Sequence, residues 1–299
     1  MKDCMNARKS PLLLAVALLL TLLWVGCGSG SNSETTLNPD SLSTTVDAAA
    51  DTNAADLPSP VQMALSILKA EAPYNGELLN PSTKADAYSN TFTQAINLGV
   101  YQADLGYLIA HHQTQGALDY FRAVKKLGDK LGILGAFDDA MMQRAEKNLD
   151  SRDSLFAILN EVFRDADVYL NENAMLASAD LIVVGGWLES TYHATQILKT
   201  TDSGPLRKRV GADKDVLPKL LTAIESHKGS ADHEALAKQL QELNTIYSEI
   251  KIKRIDAAPV TDEAKHITRI TDKTKIRYTP ETLAKITDKV ASIRNMYVK

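Results

Sequence analysis

Cysteine is almost absent from this chain of 299 residues. Its two cysteines are Cys4 and Cys27, and no cysteine follows position 27. The sequence beyond that point therefore excludes an internal disulfide framework, a thiol nucleophile and a cysteine-ligated zinc site.

Common catalytic motifs are lacking as well. The sequence contains no Walker loop, no G-x-G-x-x-G, no G-x-S-x-G and no H-E-x-x-H. These motifs position phosphates, dinucleotides, nucleophilic serines and catalytic zinc, so the chain lacks the usual local signatures of those chemistries. We predict that the protein is not an enzyme and needs no cofactor.

A hydrophobic run occupies residues 11–25, after the positive charges of Lys2, Arg8 and Lys9. The run is short for a membrane-spanning helix, which needs about 20 apolar residues. A basic start, a short apolar run and small residues at its end are typical of a signal peptide. We predict a signal peptide over residues 1–26.

The end of this run resembles the lipobox of bacterial lipoproteins, in which a small residue precedes the cysteine that becomes the lipidated N-terminus. Gly26 and Cys27 match that pattern, whereas Trp24 stands where the family usually has leucine. The resemblance implies acyl chains on Cys27, a bilayer as partner and a place in the cell envelope, with Gly28 favouring the outer membrane. An ordinary secretory signal, cleaved near residues 28–30, is the alternative.

Positive charge is missing from the segment that follows Cys27. Residues 28–59 contain no lysine, arginine or aromatic residue, and their charged residues are all acidic. Such a composition buries too little apolar surface to offset chain entropy. We predict that residues 27–59 are a lipidated cysteine followed by a disordered acidic tether.

Helix signals dominate the rest of the chain. Apolar residues recur at helical spacing, and capping residues or prolines indicate helix starts at residues 60, 83–86, 151–154, 230–234 and 279–281. The pattern predicts an all-α fold of about eight or nine helices, in a multi-helix bundle or an irregular helical-repeat-like array.

We assign residues 60–254 to a helical domain and residues 255–299 to a basic C-terminal extension with a terminal helix. Within the extension, residues 267–278 alternate in polarity around Asp272 and Lys273. This alternation predicts a small β-hairpin or an extended arm.

Two predicted helices, residues 91–109 and 174–198, are apolar on nearly all sides and should be central. Both contain interior glycines, which destabilise a helix by about 1 kcal/mol relative to alanine and so indicate close contact with a neighbouring helix. These glycines are Gly99, Gly106, Gly185 and Gly186. Each helix also has glycine followed by an aromatic residue and a carboxylate, which raises the hypothesis of internal duplication.

Three polar residues in these helices are candidates for a functional site: Asp104 in the first, and Glu189 with His193 in the second. Glu189 and His193 are four residues apart and share a helix face, where they could bind a metal or exchange a proton. A hydrogen-bonded structural pair is the more common use of this spacing. We therefore predict no metal site and keep these residues as candidates.

Positive charge is concentrated late in the chain, between Lys251 and Arg277. This region could meet anionic lipid or an acidic partner, or form an ordinary solvated surface. We predict no nucleic-acid binding.

The lipobox, the helical body, residues 74–81 and residues 98–104 together resemble the helical lipoproteins of bacterial envelopes, which offer no shared activity to transfer. We predict a membrane-anchored, non-enzymatic binding or scaffold module whose partner is a protein or another envelope component. The alternative is a metal- or small-ligand-binding helical bundle that uses Asp104, Glu189 and His193.

Overall fold

The structure is a computed structural model that describes residues 60–133, 137–227, 229–253, 260–262, 267–269 and 274–298. The predicted signal peptide, Cys27 and the acidic tether lie outside the described residues. The predicted all-α class is confirmed, with nine α-helices and two short 3-10 helices within the described part.

The α-helices are α1 (Pro60–Lys69), α2 (Thr91–Ala110), α3 (Thr114–Leu131), α4 (Asp139–Lys147), α5 (Arg152–Glu172), α6 (Leu176–Ile197), α7 (Gly204–Glu225), α8 (Ala231–Tyr247) and α9 (Pro280–Tyr297). The 3-10 helices are Gly76–Leu78 and Ser82–Asp86. None of the described helices is long and apolar enough to cross a membrane.

Several helices start where the sequence predicts them. Helices α5, α8 and α9 follow Ser151, Ser230 and Thr279. The side chains of Ser151 and Thr279 accept a backbone hydrogen bond from the first turn, whereas the Ser230 side chain makes no such bond. The prediction of a continuous helix from residues 83–86 was wrong, because Ser82–Asp86 is a separate 3-10 helix. Asn90 has extended backbone and its side chain accepts a hydrogen bond from the Thr93 amide at 2.8 Å, so a new helix begins at Thr91.

Helices α2 and α6 form the centre of the body and touch backbone to backbone. A Cβ on Gly99 would lie 2.0 Å from the Ile182 carbonyl oxygen, and a Cβ on Gly185 would lie 2.0 Å from the Ile96 carbonyl oxygen. Only glycine permits this approach. Ile96 contacts Gly185, and farther along both helices Asp104 contacts His193, so α2 and α6 run parallel.

The other two interior glycines face helix α1. A Cβ on Gly106 would meet the Cβ of Ala64 at 3.5 Å, and one on Gly186 would meet Pro60 Cγ at 3.1 Å. The prediction that these glycines mark close helix contacts is confirmed.

The α2–α6 contact has local two-fold character. Gly99 contacts the Ile182 carbonyl, about one turn before Gly185, and Gly185 contacts the Ile96 carbonyl, about one turn before Gly99. Farther along, the ring of Tyr107 lies tilted against that of His193, with 4.8 Å between the ring centroids. This arrangement agrees with the duplication hypothesis, which stays a prediction.

Four short strands form two antiparallel pairs near the C-terminus: β1 (Lys251–Lys253) with β4 (Lys275–Arg277), and β2 (Val260–Asp262) with β3 (Ile267–Arg269). The prediction of strands between residues 267 and 278 is confirmed, but β3 and β4 pair with upstream strands rather than with each other. Ile276 explains the β4 pairing, because it lies opposite Ile252 and packs on Gly211 of α7.

The last helix belongs to the helical body. Helix α9 packs against α6 and α8, and Asn97 of α2 donates a hydrogen bond to the Tyr297 carbonyl at 2.9 Å. Residues that are distant in sequence thus meet at the core.

We expect Gly185→Ala to lower the free energy of unfolding by about 3 kcal/mol, because its Cβ would collide with a backbone oxygen that no rotamer change can move. Urea denaturation measures the change. Gly204→Ala is the matched control, since a Cβ there meets nothing within 4 Å. Equal effects of the two substitutions would contradict the proposed helix contact.

Candidate carboxylate–histidine site

The structure brings the three candidate residues together. His193 Nε2 lies 3.1 Å from Asp104 Oδ1 and 3.5 Å from Glu189 Oε1. Their side chains are at most 1% exposed. The close approach of α2 and α6 places Asp104 of one helix against the Glu189–His193 face of the other.

Arg294 of α9 completes the cluster, although it is not among the residues predicted from the sequence. Its Nε and one terminal nitrogen each donate to a different oxygen of Glu189, both at 2.7 Å. The same terminal nitrogen donates to the Leu78 carbonyl at 3.0 Å, and the guanidinium carbon lies 4.3 Å from the Tyr192 ring centroid. Such a two-pronged contact is the strongest arginine–carboxylate geometry.

A sequence signal for Arg294 was available. Val290 and Arg294 are four residues apart, so the arginine extends the apolar face of α9 that includes Ile286. A charged residue on a buried stripe needs an opposite charge in the core. The sequence does not reveal which carboxylate supplies it.

The second oxygen of Asp104 is held by the loop between the two 3-10 helices. The Asn80 amide donates to Asp104 Oδ2 at 3.1 Å, and the Asn80 side chain donates to the hydroxyl of Tyr88 at 2.9 Å. Tyr120 donates to the Asn80 carbonyl, and Tyr101 donates to the Pro81 carbonyl, both at 2.9 Å. The cluster therefore fixes this loop as well as three helices.

The tyrosines near the site act as neutral hydrogen-bonding core residues. Burial raises the pKa of Tyr88, Tyr101 and Tyr120 above the usual range. The Tyr107 hydroxyl accepts a hydrogen bond from the Asn75 amide at 3.0 Å. Tyr101 and Tyr107 are thus core residues whose hydroxyl groups form hydrogen bonds.

The charges of the cluster balance. Burial opposes ionisation of Glu189, but His193 and Arg294 outweigh it and lower the pKa of this carboxyl. Burial, together with repulsion from Glu189, raises the pKa of Asp104 to about 7. Burial also disfavours charge on His193, yet its contacts with Asp104 and Glu189 raise its pKa to about 9. Between about pH 7 and pH 9, two carboxylates therefore face an arginine and a protonated histidine.

The donor atoms could also surround a metal ion. Asp104, Glu189 and His193 each offer one ligand atom, and these atoms lie within 4.8 Å of one another. Asp104 Oδ1 and His193 Nε2 make no hydrogen bond of good geometry with the described residues. The guanidinium of Arg294 opposes a second cation here, because Glu189 Oε1 already accepts its hydrogen bond.

A further buried carboxylate, Asp213 of α7, was not a candidate from the sequence. It contacts Arg209 at 3.2 Å and accepts a hydrogen bond from Thr191 at 3.2 Å. Burial raises its pKa. This group links α6 to α7 and does not touch the Asp104 cluster directly in the contacts described.

Comparison with known proteins finds no match: no family model, no curated protein and no solved structure is similar to this chain. The geometry of the site and the sequence pattern are therefore the basis of the functional proposal.

We expect the free energy of unfolding to fall by about 2 kcal/mol between about pH 7 and 9.5 because of His193. The folded-state pKa lies above the unfolded value of about 6.5, so the stabilisation is complete below that value and is lost as pH rises through about 9. Urea denaturation across this range measures the slope.

His193→Gln should abolish this fall in the free energy of unfolding between about pH 7 and 9.5. The control His112→Asn, at an exposed histidine, should retain it. Wild-type stability that stays constant above neutral pH would contradict a protonated His193.

Proposed function

We propose that this chain is a lipid-anchored protein of the bacterial cell envelope whose helical body is a non-enzymatic binding or scaffold module. The observation that carries the proposal is the N-terminal pattern: a basic start, an apolar run over residues 11–25, and Gly26 before Cys27. Acyl chains on Cys27 would hold the protein in a bilayer, because two or more chains bind stably where one binds marginally. Gly28 favours the outer membrane.

The buried cluster supports a structural rather than catalytic use of its charges. Both oxygens of Glu189 accept hydrogen bonds from Arg294, and Asp104 Oδ2 accepts one from the Asn80 amide. A general acid or base must reach a substrate, whereas these carboxyls are 0% exposed. We infer that the cluster joins helices and that the protein acts through its surface, on a protein or another envelope component.

Cys27→Ala should abolish lipid attachment. The measurement is incorporation of labelled fatty acid in cells, combined with the intact mass of the purified protein. Cys4→Ala is the matched control and should retain the label, since Cys4 leaves with the signal peptide.

A wild-type protein without lipid, with its N-terminus at residues 28–30, would contradict the anchor and favour an ordinary secretory signal. Label that persists in Cys27→Ala would also contradict it.

A second candidate function is binding of a metal or small ligand by Asp104, Glu189 and His193. It is favoured by the convergence of their ligand atoms within 4.8 Å. In addition, Asp104 Oδ1 and His193 Nε2 form no hydrogen bond of good geometry with the described residues. Carboxylate and imidazole ligands suit iron, zinc or copper.

Elemental analysis of the purified protein separates the two functions. Because Arg294 already supplies the positive charge, we expect less than stoichiometric iron, zinc or copper. One metal ion per chain in the wild type, lost in His193→Ala but kept in His112→Ala, would overturn the structural interpretation and establish the second candidate.

A further inference from the structure

The β1–β4 ladder carries four positive charges on one face. Its register pairs Lys251 with Arg277, Ile252 with Ile276, and Lys253 with Lys275. Side chains alternate between the two faces of a strand, so the four basic residues share one face and the isoleucines share the other. The basic residues are exposed, whereas Ile276 packs on Gly211 of α7.

Within the described part of the chain, these four cations form no ion pair and face like charges directly across the ladder. Opposed like charges destabilise a strand pair. By contrast, Lys285 lies 3.0 Å from Glu249 and Lys289 lies 2.5 Å from Glu242. Among the side chains that the structure describes, the four cations of the ladder therefore have no acidic partner, unlike these two lysines of α9.

The backbone of the ladder is fixed to the helical body. Lys214 of α7 donates hydrogen bonds to the carbonyls of Ser248 and Ile250, just before β1. Tyr278, just after β4, donates a hydrogen bond to the Arg207 carbonyl at 2.7 Å. These contacts, with the packing of Ile276, orient the isoleucine face inward and the basic face outward.

We propose that this basic face docks on the anionic headgroups of the membrane. The proposal rests on the lipid anchor at Cys27, which would keep the body beside a bilayer and so make a weak surface attraction effective. Four cations on one side of a short ladder suit an extended negative surface, because every cation can approach headgroups at once. Each lysine or arginine close to an anionic leaflet strengthens binding about fivefold.

The test uses the full lipidated protein in neutral vesicles of phosphatidylcholine and in anionic vesicles that also contain phosphatidylglycerol. Flotation with the neutral vesicles shows whether the lipid anchor binds the bilayer. The rate of modification by an amine-reactive reagent shows how accessible each lysine is. We expect Lys251, Lys253 and Lys275 to react about fivefold more slowly on anionic than on neutral vesicles. In about 0.5 M salt the difference should disappear, because screening is then nearly complete beyond a few ångströms.

A charge-reversed pair tests the face itself. Lys251→Glu with Arg277→Glu keeps like charges opposite each other in the ladder and leaves Lys253 and Lys275 as reporters. Their protection on anionic vesicles should be lost. The matched control is Lys69→Glu with Lys147→Glu, which changes the net charge equally at two exposed lysines elsewhere and should preserve the protection.

Equal reactivity of the reporters on both kinds of vesicle would overturn the docking proposal. Protection on neutral and anionic vesicles alike would also overturn it, because an acidic segment of protein, such as residues 28–59, would then cover the face. Failure to float with neutral vesicles would instead count against the anchor, so the two proposals are judged separately.

Discussion

The ion pair between Glu189 and Arg294 is the interaction on which the centre of this fold depends. A buried carboxylate without an opposite charge would destabilise the protein by several kcal/mol. Arg294 supplies that charge from α9, 105 positions away in sequence, through two hydrogen bonds of 2.7 Å. Its third hydrogen bond, to the Leu78 carbonyl, extends the connection to the 3-10 helix Gly76–Leu78. The last helix is therefore part of the core.

Close packing of α2 and α6 makes the rest of the cluster possible. Gly99 and Gly185 let the two backbones approach, and this approach brings Asp104 within 3.1 Å of His193. Asp104 in turn holds the Asn80 amide. The approach of the backbones at two glycines thus determines the electrostatic environment farther along the helices. There burial and the charge of Glu189 raise the pKa of Asp104, whereas contact with Asp104 and Glu189 raises the pKa of His193 against the opposing effect of burial.

Local patterns allowed prediction of the all-α class and of three of the four residues in the cluster. The apolar run over residues 174–198 predicted α6, and the spacing of Glu189 and His193 placed both on one face. Arg294, which supplies the positive charge opposite Glu189, could not be assigned as its partner from the sequence, because the two residues meet only through tertiary packing. The partners of β3 and β4 were likewise missed, since strand pairing is set by contacts such as Ile276 with Gly211. Asn90 was overlooked as the cap that separates α2 from the preceding turn.

Charge thus has two uses in the described part of the molecule. Buried charges such as Glu189 and Arg294 form pairs, whereas the cations exposed on the β1–β4 ladder have no acidic partner among the described residues. The central claim is that the buried cluster is closed and balanced by a protonated His193. Nitrogen NMR of the His193 ring at about pH 7.5 tests it most directly, since its pKa is raised to about 9. We predict the shifts of an imidazolium with both nitrogens protonated. A neutral ring at that pH, or one bound to a metal, would contradict the account.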